Sequence, residues 1–231
     1  PVIAIRPSGT PVAGVRTVTA LPEGSPDFAL LGIKPQRLDA VAPALAERLT
    51  PATTLVSILA GVEIASLRAR FPEAGPVVRA MPNLPVSEGR GVIALNGGDA
   101  SIDALFAPLG MVVRTQGEAE LAAIGSLAGA GPAYVARFVA ALAKAGAERG
   151  LDPDLADRIA LETVLGTAAM AKASGEGMAS LAVRVASPNG TTQAGLGVLD
   201  PELDPLLSRT LAAAARRGEE LAAAARIDAR D

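Results

Sequence analysis

The segment FALLGIKPQRLDAVAPALAERLTPATTLVSIL, residues 28–59, decides the fold class of this chain. It opens with a short apolar run, Phe28–Ile33, which the pair Lys34-Pro35 brings to an end. Apolar residues then recur at helical spacing through residues 36–49, which predicts an amphipathic helix. A second apolar run follows at Thr54–Leu59. Apolar strands joined by a helix indicate a mostly parallel sheet in an α/β layer fold.

The same alternation continues on both sides of this segment. A short helical pattern lies around residues 63–70. The other apolar runs of strand length are Pro1–Arg6, Val15–Val18, Pro76–Met81, Gly91–Leu95 and Met111–Arg114. We therefore predict an α/β domain over residues 1–116.

The pattern changes after Gly117, where strand-like runs end and helical periodicity takes over. The predicted helices are Glu118–Leu127, Pro132–Arg149, Pro153–Ser174, Met178–Val185 and Pro201 to about Arg226. Pro132, Pro153 and Pro201 each stand at a predicted first helical turn, where proline is tolerated. Residues 117–231 are accordingly predicted to form an all-α domain.

The composition excludes several classes of chemistry. The chain has no histidine and no cysteine, which rules out a histidine base, a catalytic thiolate and a metal bound by either residue type. We therefore expect no metal. A net charge of -3 with 2% aromatic residues provides neither a basic face for phosphates nor side chains that stack on bases. We expect no nucleic-acid partner.

The sequence also bears on the compartment. No apolar run reaches the roughly 20 residues that a membrane-spanning helix needs, and no signal-peptide pattern opens the chain. Without cysteines there is no disulfide framework. We expect a cytoplasmic protein with no membrane contact.

Two short turns each precede a helical pattern. In Ser187-Pro188-Asn189-Gly190-Thr191-Thr192 the Asn-Gly pair favours a positive φ, after which Thr191 and Thr192 open a helical stretch. Their N–H groups and hydroxyls would then be available to a small anion such as a carboxylate. Gly129–Tyr134 has the same character. Taken alone, each segment is better explained as an ordinary turn at the start of a helix.

Polar segments follow three predicted strands, at the sheet edge where open α/β folds bind ligands. Lys34-Pro35-Gln36 is the first, and a strand-terminating turn with a solvated lysine explains it equally well. Arg79–Asn83 is a second loop of this kind. Arg6 and Ser8 end the first strand, where a dinucleotide-binding domain reads a 2′-phosphate. From position alone, a solvated surface arginine is the better interpretation of Arg6.

Seven short stretches follow one another in a recognisable order over nearly the whole chain. They are LGIKPQ (31–36), SILAG (57–61), RAMPN (79–83), EGRGVIAL (88–95), AGAGPAYV (128–135), TVLGTAAM (163–170) and SPNGTTQAGL (187–196). Together they resemble the pyrroline-5-carboxylate reductase family. Each stretch is a weak signal alone, but their collinearity makes the resemblance strong.

The resemblance implies an N-terminal Rossmann-like domain for NADPH or NADH, followed by an all-helical domain for substrate binding and dimerisation. It implies hydride transfer to the C=N carbon of Δ1-pyrroline-5-carboxylate, giving L-proline, in a homodimer or a higher assembly of dimers. A protonated imine is already electrophilic, so this reaction needs positioning more than a strong base.

The same resemblance assigns residues to two sites. Thr192 is the implied catalytic residue, which hydrogen-bonds the ring nitrogen of the substrate or relays a proton. The residues implied to bind the substrate are Ser187, Asn189, Gly190, Thr191 and Thr192. Those implied to lie along the cofactor are Lys34, Pro35, Gln36, Ala60, Met81 and Asn83. Arg6 and Ser8 would favour NADPH through its 2′-phosphate.

The chain departs from the family pattern in two respects. The family begins with a strand, a Gly-x-Gly-x-x-Gly-type turn and a helix, ahead of the strand that Val2–Ile5 matches. This sequence has no counterpart, and we expect one upstream of Pro1. Ala128 and Ala130 replace two usual serines, and Asn189 replaces a usual glycine. Two other hypotheses stay open: a reductase of a different cyclic imine on the same fold, and a non-catalytic dimeric protein that binds a small molecule.

Overall fold

The protein, described by a computed structural model over residues 2–227, forms two compact units. The first (the sheet unit) contains the residues up to Gly125 together with those from Ala215 onward. The second (the helical unit) is Ser126–Ala214. The C-terminal helix therefore contributes to both units. The predicted division into domains 1–116 and 117–231 stays a prediction.

Residues 2–227 contain seven strands, all in the sheet unit. They are β1 (Ile3–Ile5), β2 (Arg16–Val18), β3 (Phe28–Leu31), β4 (Thr54–Ser57), β5 (Val77–Pro82), β6 (Gly91–Asn96) and β7 (Gly110–Arg114). The larger sheet has the order β3-β4-β5-β6-β7, and only β5 and β6 pair antiparallel in it. That pair departs from the predicted parallel pattern because a short turn over residues 83–90, instead of a crossover helix, joins the two strands.

The first two strands form a separate parallel pair. Parallel neighbours usually need a crossover of about a dozen residues or more, most often helical, yet residues 6–15 join β1 to β2 without a helix. Within the described residues β3 pairs only with β4, so its other edge is unpaired. That edge strand exposes Phe28 and Leu30 at 50% and 61%. An apolar, unpaired edge is a template for further strand pairing.

The central strands are buried on both faces. The helices of the sheet unit are α1 (Leu38–Ala46), α2 (Ile64–Arg70), α3 (Ala100–Phe106) and α4 (Glu118–Ile124). Leu55 of β4 packs in one hydrophobic core with residues of α1 and α2, whereas its neighbour Val56 packs in a second core with α3. Because successive strand residues point to opposite faces, both must be apolar. This is the reason for the continuous apolar runs in the sequence.

The sequence prediction missed α3. Asp99 caps this short helix, and its Oδ1 accepts hydrogen bonds from Ser101 N at 2.9 Å and from Ser101 Oγ at 2.6 Å. These bonds hold the pKa of Asp99 below its usual value of 3.8, and the bond from the Ser101 hydroxyl contributes most. Arg114 of β7 pairs with Asp103 at 2.9 Å and donates to the carbonyl oxygen of Gly97. A helix of about two turns is too short for its periodicity to be recognised in a sequence.

The remaining helices are α5 (Gly131–Glu148), α6 (Pro153–Ser174), α7 (Met178–Val185) and α8 (Thr191–Ile227). A π-helical turn, Gly125–Gly129, precedes α5 and makes the run from Glu118 to Glu148 nearly continuous. In the helical unit α5 and α6 pack through the buried residues Ala143, Ala156 and Ala160. Small side chains allow this close helix–helix contact.

The predicted start of the last helix at Pro201 was wrong. The helix α8 begins at Thr191 and continues through both Pro201 and Pro205. Proline cannot donate to the carbonyl four residues earlier, so α8 lacks that bond at two positions. Pro132 and Pro153, in contrast, do lie in the first turn of a helix, as predicted.

By length and composition alone, the helical run Glu118–Glu148 is apolar enough to cross a membrane. Apolar helices that pack against protein meet the same criterion. Val135, Phe138 and Leu142 of α5 are exposed and recur at helical spacing, which forms one apolar stripe. The expectation of no membrane contact stays a prediction.

Candidate functional site

The predicted substrate turn, Ser187–Thr192, connects α7 to α8 and is largely exposed. Asn189 has a φ of 55°, and it is the one non-glycine residue with positive φ in the part of the chain that the structure describes. Asparagine tolerates this region, as expected for an Asn-Gly turn. The N–H of Gly190 donates to the carbonyl of Ser187 at 3.0 Å. A Cβ at residue 190 would meet the Ser187 hydroxyl and lie 3.0 Å from the Ser187 carbonyl oxygen, so glycine gives this turn room.

Where the turn passes into α8, backbone N–H groups remain that the helix itself does not use. The first intrahelical bond of α8 runs from the N–H of Ala194 to the carbonyl of Gly190 at 3.2 Å. The N–H groups of Thr191 and Thr192 precede that bond and have no acceptor within the helix. The side chain of Gln193 accepts from the N–H of Asn189 at 2.7 Å. The predicted substrate residues therefore lie together on one turn, with donors suited to an anion.

A cavity of about 250 Å³ opens beside this turn, inside the helical unit. Thr192 and Leu196 of α8 line it together with residues of α6 and α7. Its remaining lining residues are Thr167, Met170, Met178, Leu181, Ala182 and Val185. Thr192, the predicted catalytic residue, thus supplies one of two hydroxyls in an otherwise apolar pocket.

An ion pair near this cavity was not predicted from the sequence. Arg184 Nη2 lies 2.8 Å from Glu176 Oε2 and 3.9 Å from the sulfur of Met170, a cavity residue. The hydrogen bond to Glu176 raises the pKa of Arg184 above its usual value. The two residues are eight positions apart across a turn. No local periodicity marks such a pair, which explains why the sequence did not reveal it.

The predicted cofactor residues follow strands of the sheet unit. Lys34, Pro35 and Gln36 come after β3, Ala60 follows β4, and Met81 and Asn83 lie at the end of β5. These three strands are parallel neighbours, so their carboxyl ends share one edge of the large sheet. Lys34, Gln36 and Ala60 are exposed there.

Arg6 and Ser8 follow β1 in the small sheet, so the pairing of the large sheet does not place them with the other cofactor residues. The N–H of Arg6 donates to the carbonyl of Val18 at 2.8 Å, and its side chain is exposed. The hydroxyl of Ser8 lies 3.0 Å from that of Thr10. Their assignment to a 2′-phosphate stays a prediction.

Two of the predicted cofactor residues have structural contacts. The side-chain oxygen of Asn83 accepts from the N–H of Val92 at 2.8 Å, and its own N–H donates to the carbonyl of Val92 at 3.1 Å. Asn83 thereby closes the turn between β5 and β6. A Cβ at Gly125 would lie 2.8 Å from the sulfur of Met81, so glycine there makes room for Met81.

An ion pair that the sequence did not reveal links β5 to α4. Arg79 bonds Glu118 Oε2, and Glu118 Oε1 accepts from the N–H of Ile64, the first residue of α2, at 2.9 Å. One carboxylate therefore joins a strand to the beginning of two helices. The separation of these residues along the chain conceals the contact.

The second glycine-rich turn, Gly129–Tyr134, contains the start of α5 at Gly131 and directly follows the π-helical turn. Helical residues precede it, and the N–H groups of Ala133 and Tyr134 donate to the carbonyl of Ala130 at 3.0 and 3.4 Å. The structure therefore agrees with an ordinary helical junction.

Comparison with known proteins bears on both units. A family profile for pyrroline-5-carboxylate reductase dimerisation matches residues 118–221. The pyrroline-5-carboxylate reductase of Pseudomonas aeruginosa is 38% identical over 205 residues, which cover 85% of this chain and 75% of that protein. The Synechocystis enzyme of the same name is 38% identical over 200 residues, covering 83% of this chain and 74% of the relative.

Solved structures share the fold. The crystal structure of Plasmodium falciparum pyrroline carboxylate reductase with NADP bound superposes with a TM-score of 0.82 at 22% identity, covering 95% of this chain and 87% of that one. Pyrroline-5-carboxylate reductase from Coxiella burnetii gives a TM-score of 0.81 at 30% identity, covering 90% and 81%. The predicted fold class, a Rossmann-like domain followed by a helical dimerisation domain, is confirmed. The chain belongs to the pyrroline-5-carboxylate reductase family.

Proposed function

We propose that this protein reduces Δ1-pyrroline-5-carboxylate to L-proline with NADPH or NADH as the hydride donor. One observation carries the proposal: the predicted substrate turn starts α8 with donors suited to a carboxylate, directly beside the apolar cavity that Thr192 lines. The identity to pyrroline-5-carboxylate reductases extends through this turn and supports the same activity.

The turn would bind the substrate carboxylate. The N–H groups of Thr191 and Thr192 point beyond the first turn of α8, where the helix dipole also favours an anion. Asn189, through its positive φ, and Gly190, through its close approach to Ser187, hold the backbone in this arrangement. Binding the carboxylate at a fixed place orients the ring attached to it.

Thr192 would act at the ring nitrogen. Its hydroxyl accepts or donates a hydrogen bond, so it can hold the proton of the iminium form and keep the C=N carbon electrophilic. When the hydride adds to that carbon, the C=N π electron pair moves to nitrogen and the product amine keeps the proton. The apolar residues Met170, Leu181 and Val185 would pack against the ring methylenes and exclude water.

The edge of the large sheet suits a dinucleotide. Lys34, Gln36 and Ala60 are exposed at the carboxyl ends of adjacent parallel strands, which is where open α/β sheets bind such ligands. Bound there, NADPH or NADH supplies the hydride. Lys34 has no ion pair among those found in residues 2–227 and offers an ammonium group to phosphate.

We also infer a homodimer. The matched family profile describes dimerisation, and residues 118–221 include the exposed apolar stripe of Val135, Phe138 and Leu142. An exposed apolar stripe of this kind marks an interaction surface, and the profile supports a second copy of this chain as the partner.

A comparison of two substrates tests the proposed role of the turn. Steady-state NADPH oxidation is measured with Δ1-pyrroline-5-carboxylate and with 1-pyrroline, the same ring without the carboxylate. Charge-assisted hydrogen bonds predict that kcat/KM is about a hundredfold higher for the carboxylate. Equal values would contradict carboxylate binding at this turn. A higher value for a six-membered cyclic imine acid would indicate a reductase of a different imine.

A further inference from the structure

The end of α8 packs against the core of the sheet unit. The helix begins at Thr191 in the helical unit, but its residues from Ala215 onward belong to the sheet unit. Ala225 packs against the buried core that includes Leu31, Leu59 and Val62. The last turns of α8 therefore support the region around β3 and β4, although all the predicted cofactor residues precede them by more than a hundred positions.

Small side chains form the contacting face of these turns. Ala222 and Ala225 are partly buried, one helical turn apart, whereas the charged residues at positions 216, 217, 219 and 220 are exposed. Arg217 and Glu220 pair with each other at 2.6 Å on that exposed side. The alanine face lets the helix backbone come close to the neighbouring chain.

One neighbour of these turns is the loop after β4. Gly61 has a φ of +76°, and a Cβ at this position would lie 3.1 Å from the carbonyl carbon and oxygen of Leu221 and 3.2 Å from the nitrogen of Ala222. The atoms that it would meet are backbone atoms, which cannot rotate away as a side chain can. Glycine at 61 is therefore favoured for two reasons: its φ, and the tight contact that a Cβ would make with the backbone of α8.

The same loop carries a predicted cofactor residue. Ala60 is exposed, whereas Leu59 before it and Val62 after Gly61 are 3% and 2% exposed and lie in the core that contacts α8. The two buried anchors and the helix backbone thus fix where Ala60 is presented. A shift of α8 would move the loop at the edge of the sheet.

We propose that Gly61 is a positioning residue for the cofactor, and that Leu221–Ala225 of α8 hold it in place. Gly61 acts through Ala60, because its contact with the backbone of α8 sets the position of this loop at the edge of the sheet. This inference rests on the proposed function, in which that edge binds NADPH or NADH. If Gly61 is held in this way, the affinity for the cofactor depends on the last turns of α8, the helix that begins at the substrate turn.

A matched pair of glycine variants separates this contact from backbone strain. Gly61→Ala adds a methyl group where φ is +76° and the helix backbone is 3.1 Å away. Gly24→Ala adds the same group where φ is +87° and nothing lies within 4 Å. A third variant, Ala222→Leu, enlarges a partly buried side chain beside this contact and is expected to displace α8 from the loop, without changing any loop residue or any positive φ.

The dissociation constant for NADPH is measured by fluorescence titration of the full-length native protein, together with KM for Δ1-pyrroline-5-carboxylate. Because displacements below 1 Å weaken positioned contacts, Gly61→Ala and Ala222→Leu are expected to raise the NADPH dissociation constant about tenfold and leave the substrate KM within about twofold. Gly24→Ala is expected to bind NADPH like the wild type. Circular dichroism verifies that each variant is folded, and if Gly61→Ala does not fold, Ala222→Leu decides the test.

Two results would overturn the inference. One is unchanged NADPH affinity in folded Gly61→Ala and Ala222→Leu. The other is an equal loss of affinity for NADPH and for the substrate, which would indicate general destabilisation. Failure of the proposed function is distinct from both, since it would appear as wild-type protein that binds NADPH without oxidising it in the presence of the substrate.

Discussion

At the scale of single residues, Thr192 has the most specific predicted role. Its hydroxyl is one of two in the cavity, and its N–H is one of the first donors of α8. Thr192→Val removes the hydroxyl but keeps the shape and the backbone donor. Loss of one transition-state hydrogen bond predicts a fall in kcat of about a hundredfold, with a small change in the substrate KM.

Thr163→Val is the control for that measurement. Thr163 is exposed on α6, and its hydroxyl already bonds the carbonyl of Ile159 in its own helix at 2.7 Å. Steady-state kinetics should give this variant the kcat of the wild type. Equal kcat values for Thr192→Val and Thr163→Val would remove Thr192 from the mechanism.

The carboxylate of Asp99, which caps α3, leads to a prediction about how thermal stability depends on pH. Its pKa is lowered in the folded state, chiefly by the hydroxyl of Ser101, so its stabilising effect is present above the unfolded value of 3.8 and is lost as pH falls through the folded pKa. Asp99→Ala should therefore lower Tm at pH 6, and the difference from the wild type should shrink below about pH 4. Thermal unfolding followed by circular dichroism measures both.

Ser101→Ala serves as the partner variant for Asp99. It removes the hydroxyl donor and keeps the backbone N–H bond at 2.9 Å, so a smaller loss with the same dependence on pH is expected. A loss of Tm in Asp99→Ala that did not change with pH would show that the carboxylate charge plays no part in capping α3.

At the scale of secondary-structure elements, Glu118 joins β5, α2 and α4 through Arg79 and the N–H of Ile64. The Arg79 side chain is 12% exposed and that of Glu118 is 31% exposed. Arg79→Met leaves a partly buried carboxylate without its counter-ion, which is expected to lower the free energy of unfolding by about 2 kcal/mol. Urea denaturation measures this change.

An exposed ion pair is the control for Arg79→Met. Lys144 and Glu148 of α5 are 3.7 Å apart, with side chains 76% and 67% exposed. Lys144→Met should change the free energy of unfolding by less than about 0.5 kcal/mol, because solvent screens the pair. Equal losses in the two variants would contradict the role given to Glu118.

The elements also show how far the sequence predicts this fold. All seven predicted strands are present. In the central strands β4, β5 and β6, burial on both faces requires the continuous apolar runs that predicted them. The short helix α3 was missed because its two turns give too little periodicity and because Ile102 and Phe106 pack in a core formed with distant strands. The start at Pro201 was wrong because α8 is already helical from Thr191, and the missing N–H groups of Pro201 and Pro205 do not end it.

Likewise, some features of the candidate site could be predicted from the sequence and others could not. The turn at Asn189 and Gly190 was predictable, since its geometry depends on neighbouring residues. The pairs Arg184–Glu176 and Arg79–Glu118 were not, because each depends on contacts that chain folding brings about. The approach of Leu221 to Gly61 is a long-range contact of the same kind.

At the scale of the whole molecule, the apolar stripe on α5 makes a prediction about assembly. Phe138 is 45% exposed in the middle of the stripe that includes Val135 and Leu142. Phe138→Asp places a charge in the inferred dimer interface, where it would be desolvated without a partner. Analytical ultracentrifugation should give a dimer for the wild type and a monomer for the variant.

Leu105→Asp is the matched control for assembly. Leu105 is 54% exposed on α3, outside the region that the dimerisation profile matches. It should remain dimeric. A wild-type monomer, or a dimer that withstands Phe138→Asp, would contradict an interface centred on this stripe.

The central claim is that the protein converts Δ1-pyrroline-5-carboxylate to L-proline. The most direct measurement incubates the native, full-length protein with NADPH and the imine acid, and identifies the product by chiral chromatography with mass detection. We expect L-proline in amounts equal to the NADPH oxidised. A folded dimer that forms no proline with either NADPH or NADH would contradict it.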